Sequence, residues 1–326
     1  MSAKEKGRYF TIDILRCIGL FLVIAAHCEF PQWFIEFREF DVVLLVFVSG
    51  ASFFLSKHNN EETYGQYVLR RFKRLVLPVW VFLTIFFLFF FLCGRRFSVS
   101  EIMQSYLLLN GGVLFVWVYR VFFTTALLNP FCKEMIYKYK PLIITAIGYL
   151  ILLINDLFSF WVKMSFSIQI GKVFQYIVTY TVAYAVMSLM GMVWVKMQKR
   201  ERLVFLAVSF IVFTVSGLIL HFPSFYELKY PPTLYYTSYG LFWCLLLGLL
   251  FDNVHAEGFA EKAISWISIN TMNIYLWHIV FYYLLDTFAP DLLNHGILSL
   301  IIFVGGGILC TMLQNRINSL AGGAHE

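Results

Sequence analysis

The chain has 326 residues, of which 60% are hydrophobic and 19% aromatic, while only 13% carry charge. With a mean hydropathy of +0.75 it has too little polar surface for a soluble domain of this size, so a single membrane-embedded unit over 1–326 is expected. The net charge of +6 suggests nucleic acid as a partner, but its distribution along the chain speaks for membrane topology instead.

Hydropathy places ten candidate spans of roughly 20 residues each. They lie near 10–28, 41–57, 73–93, 113–131, 141–157, 173–195, 203–221, 235–251, 266–287 and 296–313. The expected fold is an all-α polytopic membrane bundle. The first span is too polar for a cleaved signal peptide. With the N-terminus inside, the cytoplasmic segments collect Lys4, Lys6, Arg8, Lys57, Arg70, Arg71, Lys73, Arg74, Lys133, Lys138, Lys140, Lys196, Lys199, Arg200, Arg202, Lys262 and Arg316. Only Arg38, Arg95, Arg96, Lys163, Lys172 and Lys229 fall outside. This bias predicts both termini in the cytoplasm of a cell in which the chain is a multi-pass plasma or inner membrane protein.

Asp13, Arg16 and His27 share the first span, where each buried charge costs roughly 2.5–3.5 kcal/mol at a helix centre. Asp13 and Arg16 are one turn apart and spaced to pair. Arg16 and His27 are eleven residues apart, close to three turns, and so project from nearly one face. His27 then lies near the outer surface and the Asp/Arg pair towards the cytoplasm. An imidazole titrates near pH 6.5 and takes a hydroxyl proton at neutral pH. A histidine at a helix end also commonly satisfies a backbone carbonyl, and the sequence leaves both roles open.

The basic cluster Arg70-Arg71-Phe72-Lys73-Arg74 opens the third span. Arg71 and Arg74 are i, i+3 neighbours whose guanidiniums can converge on one polyanion, or anchor on anionic headgroups. Further along, Phe47-Val48-Ser49-Gly50-Ala51-Ser52 places small residues in a span, a signature of close helix packing. Trp117 and Arg120 share one face of the fourth span. Tyr230-Pro231-Pro232 is a stiff turn, and Ile274-Tyr275-Leu276-Trp277-His278 puts a second histidine in the membrane. His58, His221, His255, His295 and His325 read as loop or interface residues. The six cysteines are scattered with no C-x-x-C pair, so neither a metal site nor a disulfide framework is expected.

Taken in order, Tyr9, Ile12-Asp13, Leu15-Arg16, His27, Phe47-x-Ser49-Gly50, Arg71-x-x-Arg74-x-x-x-Pro78, Trp117, Tyr230-Pro231-Pro232 and Ser268…Tyr275-Leu276-Trp277-His278 resemble the membrane acyltransferase-3 family. The resemblance runs from about residue 9 to 313. It implies a bundle of about ten helices that moves an acyl group, usually acetyl, from cytoplasmic acetyl-CoA to a carbohydrate hydroxyl on the outer side. Carried over, His27 is the catalytic histidine, Arg16 the functional arginine with Asp13 holding it, and Arg71 with Arg74 the pair that engages the donor's phosphates. Trp117, Tyr275 and His278 are further site candidates. No permanently bound cofactor is expected, and the expected partners are an acyl-CoA, a surface or lipid-linked glycan, and membrane lipids. Ala51-Ser52 departs from the family pattern, where an aromatic often follows Ser-Gly, and the hydrolase-like outer domain of some relatives is not expected. Two rival classes are a flippase or transporter of a lipid-linked sugar and a non-catalytic scaffold. The Arg-x-x-Arg placement argues against the first, and the pairing of His27 with Arg16 against the second.

Overall fold

The computed structural model describes residues 10–56, 62–113 and 115–322. Tyr9, Lys4, Lys6, Arg8, Lys57, His58 and His325 lie outside the described residues. The described chain is built from helices, with no strand beyond one isolated bridge between Lys229 and Pro232. In chain order these are α1 (Phe10–Ala25), α2 (Gln32–Phe37), α3 (Asp41–Leu55), α4 (Tyr64–Leu75), α5 (Leu77–Leu92), α6 (Val99–Tyr106), α7 (Trp117–Lys138) and α8 (Pro141–Ser165). There follow α9 (Ile168–Phe174), a π-helical turn (Gln175–Thr179), α10 (Tyr180–Lys196), α11 (Lys199–Leu220), α12 (Phe225–Leu228), α13 (Leu234–Leu250), α14 (Phe259–Phe288), a 3-10 turn (Pro290–Asn294) and α15 (Gly296–Gly322).

Every expected span overlaps a helix, with shifted ends. Five helical stretches are long and apolar enough to cross a membrane by length and composition: Tyr64–Leu92, Pro141–Ser165, Ile170–Lys196, Lys199–Leu220 and Gly296–Leu320. The first and second expected spans form shorter helices of 16 and 15 residues. The fourth starts later than expected, at Trp117, because the described residues before it are not helical, with Leu108 and Phe115 both at positive φ. The fifth runs on past 157 to Ser165, since the polar pair inside it is satisfied by neighbours. Asn155 donates to the Thr179 carbonyl at 3.3 Å, and Asp156 accepts the Leu234 N–H that opens α13 at 2.8 Å.

Helix α3 forms the centre and packs against α1, α7, α10 and α13. Its small residues permit close approach to α10. A Cβ on Gly50 would come within 1.9 Å of the Ser188 carbonyl oxygen, and one on Gly191 within 1.9 Å of that of Phe47. Backbones this close are how small residues hold membrane helices together. The outside is the reverse of a soluble protein. Leu88, Phe91, Leu157, Phe160, Leu218, Ile219, Ile301 and Leu309 are exposed, while Asp13, Arg38, Glu39, Asp41, Arg202 and Lys229 are buried. Such a surface suits lipid, with charges turned to the bundle interior. The chain is a multi-pass membrane protein.

Helix α4 is amphipathic and lies against α7, and a proline explains where it docks. Pro130, inside α7, has no N–H to give the Ala126 carbonyl four residues before it. The Tyr67 hydroxyl from α4 fills the vacancy, donating to the Ala126 oxygen at 2.7 Å, and Tyr64 donates to that of Leu127 at 3.0 Å. A capping box of Thr63 and Gln66 starts the helix, so its arginines are held at a fixed height over the bundle.

Candidate active site

The site is laid out along the seam between α1 and α14. Ser268, Met272, Tyr275 and His278 recur at helical spacing on one face of α14. At one end of the seam Asp13 accepts a hydrogen bond from the Ser268 hydroxyl at 2.5 Å. Arg16 donates through Nη1 to the same hydroxyl at 2.8 Å and through Nη2 to Ser52. The expected Asp13–Arg16 pair is present, at 3.9 Å. Ser268 thus ties the carboxylate to the guanidinium, and Ser52 holds the other prong. The Ala51-Ser52 step thus has a structural use in this chain: the Ser52 hydroxyl is an arginine ligand.

This cluster borders a cavity of about 650 Å³, lined among others by Asp13, Arg16, Ser49, Arg70, Arg71 and Arg74. Its volume falls in the range of small-molecule and cofactor sites, roughly 300–1,000 Å³. The Arg70 guanidinium pairs with Glu62, whereas Arg71 and Arg74 form no ion pair among the described residues. Arg71 rests on the rings of Tyr67 and Phe53, 5.0 and 5.6 Å from their centroids, and its buried Nε has no hydrogen-bonding partner among the described residues. The structure therefore brings Asp13, Arg16, Arg71 and Arg74 to one chamber with a strong positive field.

His27 is not in that chamber. It lies in the turn after α1, about 16 Å along the helix axis from Arg16 at 1.5 Å per residue. Its ring is packed edge-on to Phe115 at 3.9 Å and stands 5.0 Å from the ring of His278. Nδ1 of His278 faces the Tyr275 carbonyl, which can only accept, so that nitrogen carries the proton and Nε2 is bare. Neither Nε2 of His278 nor Nδ1 of His27 has a partner among the described residues. Phe115 is held at φ 61°, a left-handed conformation costing of order 1–3 kcal/mol for such a residue. Its carbonyl is fixed by the Tyr275 hydroxyl at 3.0 Å, so Tyr275 serves to place Phe115 against His27. Between the two ends stand Met272, which borders the cavity, and Tyr119, which donates to the Met272 carbonyl at 2.8 Å.

Beside His27 lies a buried charge network that no sequence motif announces. Arg38 pairs with Asp41 and with Glu39, the latter at 2.9 Å, and Lys229 reaches Glu39 at 2.6 Å and Asp41 at 3.8 Å. On sequence alone both cations count as exterior charges, and the structure buries both. Burial opposes the charge on Lys229, but Asp41, Tyr230 and Glu39 outweigh it and hold its pKa above the ordinary lysine value. The signal was the run Arg38-Glu39-Phe40-Asp41, two acids next to a base at the mouth of an apolar span. Trp117 lies towards the same end of the bundle as His27, 5.6 Å from Tyr230, and does not line the arginine chamber.

The sequence matches the family model described as an acyltransferase domain over residues 9–314. No curated protein and no solved structure matches the chain. A match across nearly the whole chain, carried by an all-helical membrane fold, places this protein in the acyltransferase-3 family of membrane acyltransferases.

Proposed function

We propose that the protein is an O-acetyltransferase of a cell membrane, with about ten spans and both termini in the cytoplasm, that moves acetyl from cytoplasmic acetyl-CoA to a hydroxyl of an extracytoplasmic or lipid-linked glycan. The observation that carries this reading is the division of one seam into two ends: a guanidinium-lined cavity with Arg16, Arg71 and Arg74, and an imidazole at His27 about 16 Å away. Arg71 and Arg74 hold the phosphates of the donor by charge and paired hydrogen bonds. Arg16, fixed by Asp13, Ser268 and Ser52, keeps a positive charge where the acyl arm leaves that chamber.

The arm runs past Met272 towards His27. A small rotation of the His27 ring gives its Nδ1–H to the bare Nε2 of His278 and leaves its own Nε2 as base. That nitrogen takes the proton of the sugar hydroxyl as its oxygen attacks the thioester carbonyl; the C–S bond breaks and the coenzyme leaves as thiol, with the proton passed on from His27. The test is transfer of radiolabelled acetyl from acetyl-CoA to the host's surface glycan in membranes containing the protein. Base-labile label with wild type, and none with a stably inserted His27→Ala, is the expected result. Equal label in both removes His27 from the chemistry.

A further inference from the structure

A second guanidinium stands on the outer side with none of the carboxylates that accompany its neighbours. Arg38, Arg95 and Lys229 each pair with an acid. Arg120, one turn into α7 and partly buried, forms no ion pair among the described residues, and its Nη1 is buried without a hydrogen-bonding partner. A charged residue in an apolar helix is expensive, and such residues normally mark a site. What surrounds Arg120 is neutral. Nη2 donates to Asn110 Oδ1 at 3.2 Å, and Asn110 in turn donates to the Tyr180 hydroxyl at 3.4 Å. The guanidinium lies over the rings of Tyr176 and Tyr180, at 5.0 and 5.6 Å.

The π-helical turn Gln175–Thr179 brings these tyrosines forward, and such turns recur at functional sites. The aromatic surface continues outward. Tyr230 stacks on Tyr180 at 6.4 Å and meets Trp117 at 5.6 Å, and Tyr226, 71% exposed, forms the rim at 6.0 Å from Tyr230. Inward, the irregular segment that precedes Trp117 carries Phe115, which touches His27.

We propose that Arg120, Asn110 and this aromatic wall form an acceptor subsite for a sugar bearing an oxyanion, a carboxylate or a phosphate. The aromatic faces cover the apolar faces of a pyranose ring, and the unpaired edge of Arg120 receives its negative group by charge-assisted hydrogen bonding. Cation–π contact and one amide hold the guanidinium in place without neutralising it, so its charge is available to the ligand. The inference rests on the outer, acceptor-side reading of His27 but not on the identity of the acyl donor.

The test titrates full-length protein in lipid nanodiscs with methyl glucoside, methyl glucuronide and glucose 6-phosphate, read by tryptophan fluorescence. Wild type, Arg120→Gln and Arg120→Lys are compared, with acetyl-CoA binding measured in parallel. Wild type binds at least one of the anionic sugars about 10-fold or more tighter than the neutral one, as a single charge-assisted contact requires. Arg120→Gln brings neutral and anionic sugars together, and Arg120→Lys, which keeps the charge, regains part of the difference. The preferred anion distinguishes carboxylate from phosphate. Equal affinity for neutral and anionic sugars, discrimination that survives Arg120→Gln, or no saturable binding of either anion overturns the subsite. Failure of acetyl-CoA to bind while the Arg120-dependent discrimination persists removes the donor reading and leaves the subsite standing.

Discussion

Replacing Lys229 with methionine tests whether the buried network beside His27 is balanced charge for charge. Arg38 and Lys229 face Glu39 and Asp41, and the side chains of all four are 7% exposed or less. Removing one cation leaves two carboxylates around a single guanidinium, a net buried negative charge. Breaking a buried pair in this way costs about 3–5 kcal/mol. Adding Glu39→Gln restores neutrality while keeping an oxygen for the Arg38 Nη2 bond, now 2.9 Å. The double variant is therefore expected to recover at least half of the loss, a coupling of about 1–3 kcal/mol. The assay is equilibrium unfolding in mixed micelles, followed by tryptophan fluorescence and far-ultraviolet circular dichroism.

The pH dependence has a definite sign. A lysine whose folded pKa lies above its unfolded one contributes fully below the ordinary lysine value, and that contribution is lost only as pH rises through the elevated folded value. The difference between wild type and Lys229→Met is therefore constant from about pH 7 to about pH 9. A loss below about 1 kcal/mol, or a double variant no better than the sum of the singles, refutes the reasoning.

Three other outcomes follow from the geometry. Arg71→Ala with Arg74→Ala weakens acetyl-CoA binding about 10- to 100-fold, as loss of a hydrogen bond to a charged group at 1.5–3 kcal/mol requires; unchanged affinity by equilibrium dialysis places the phosphates elsewhere. Met272→Trp, at the cavity wall on the proposed path of the acyl arm, abolishes acetyl transfer while leaving donor affinity within about twofold, whereas transfer at the wild-type rate means the acyl arm takes another route. Tyr67→Phe leaves the Ala126 carbonyl unpaired at Pro130 and lowers stability by about 1–3 kcal/mol, and amide exchange across α4 rises; protection equal to wild type means that other contacts hold the helix.

The Asp13–Arg16 pair was legible because helix spacing alone sets it, and so was the close packing at Gly50, since only small residues allow it. The serines that complete the arginine cluster were not. Ser268 stands 252 residues from Arg16, and nothing local marks a serine as an arginine ligand. The pairing of Lys229 was hidden for a related reason. Counting cations by side treats each as solitary, whereas this one is paired with Glu39, 190 residues away. The late start of α7 was hidden because the sequence from 113 to 116 is as apolar as a helix, and only the left-handed conformation of Phe115 shows that its ring is turned onto His27 instead.

The bond between Lys229 and Glu39 also orders events during synthesis. The first three members of the network, Arg38, Glu39 and Asp41, carry a net negative charge, and the residue that neutralises it is 190 positions downstream. At 5–20 residues per second the ribosome delivers Lys229 on the order of 10–40 s later. Until then the acids at the start of α3 lack their second cation, and the wall of His27 formed by Phe115 and His278 is only completed when α14 follows. A nascent chain arrested before residue 229 therefore holds Arg38, Glu39 and Asp41 with one carboxylate uncompensated.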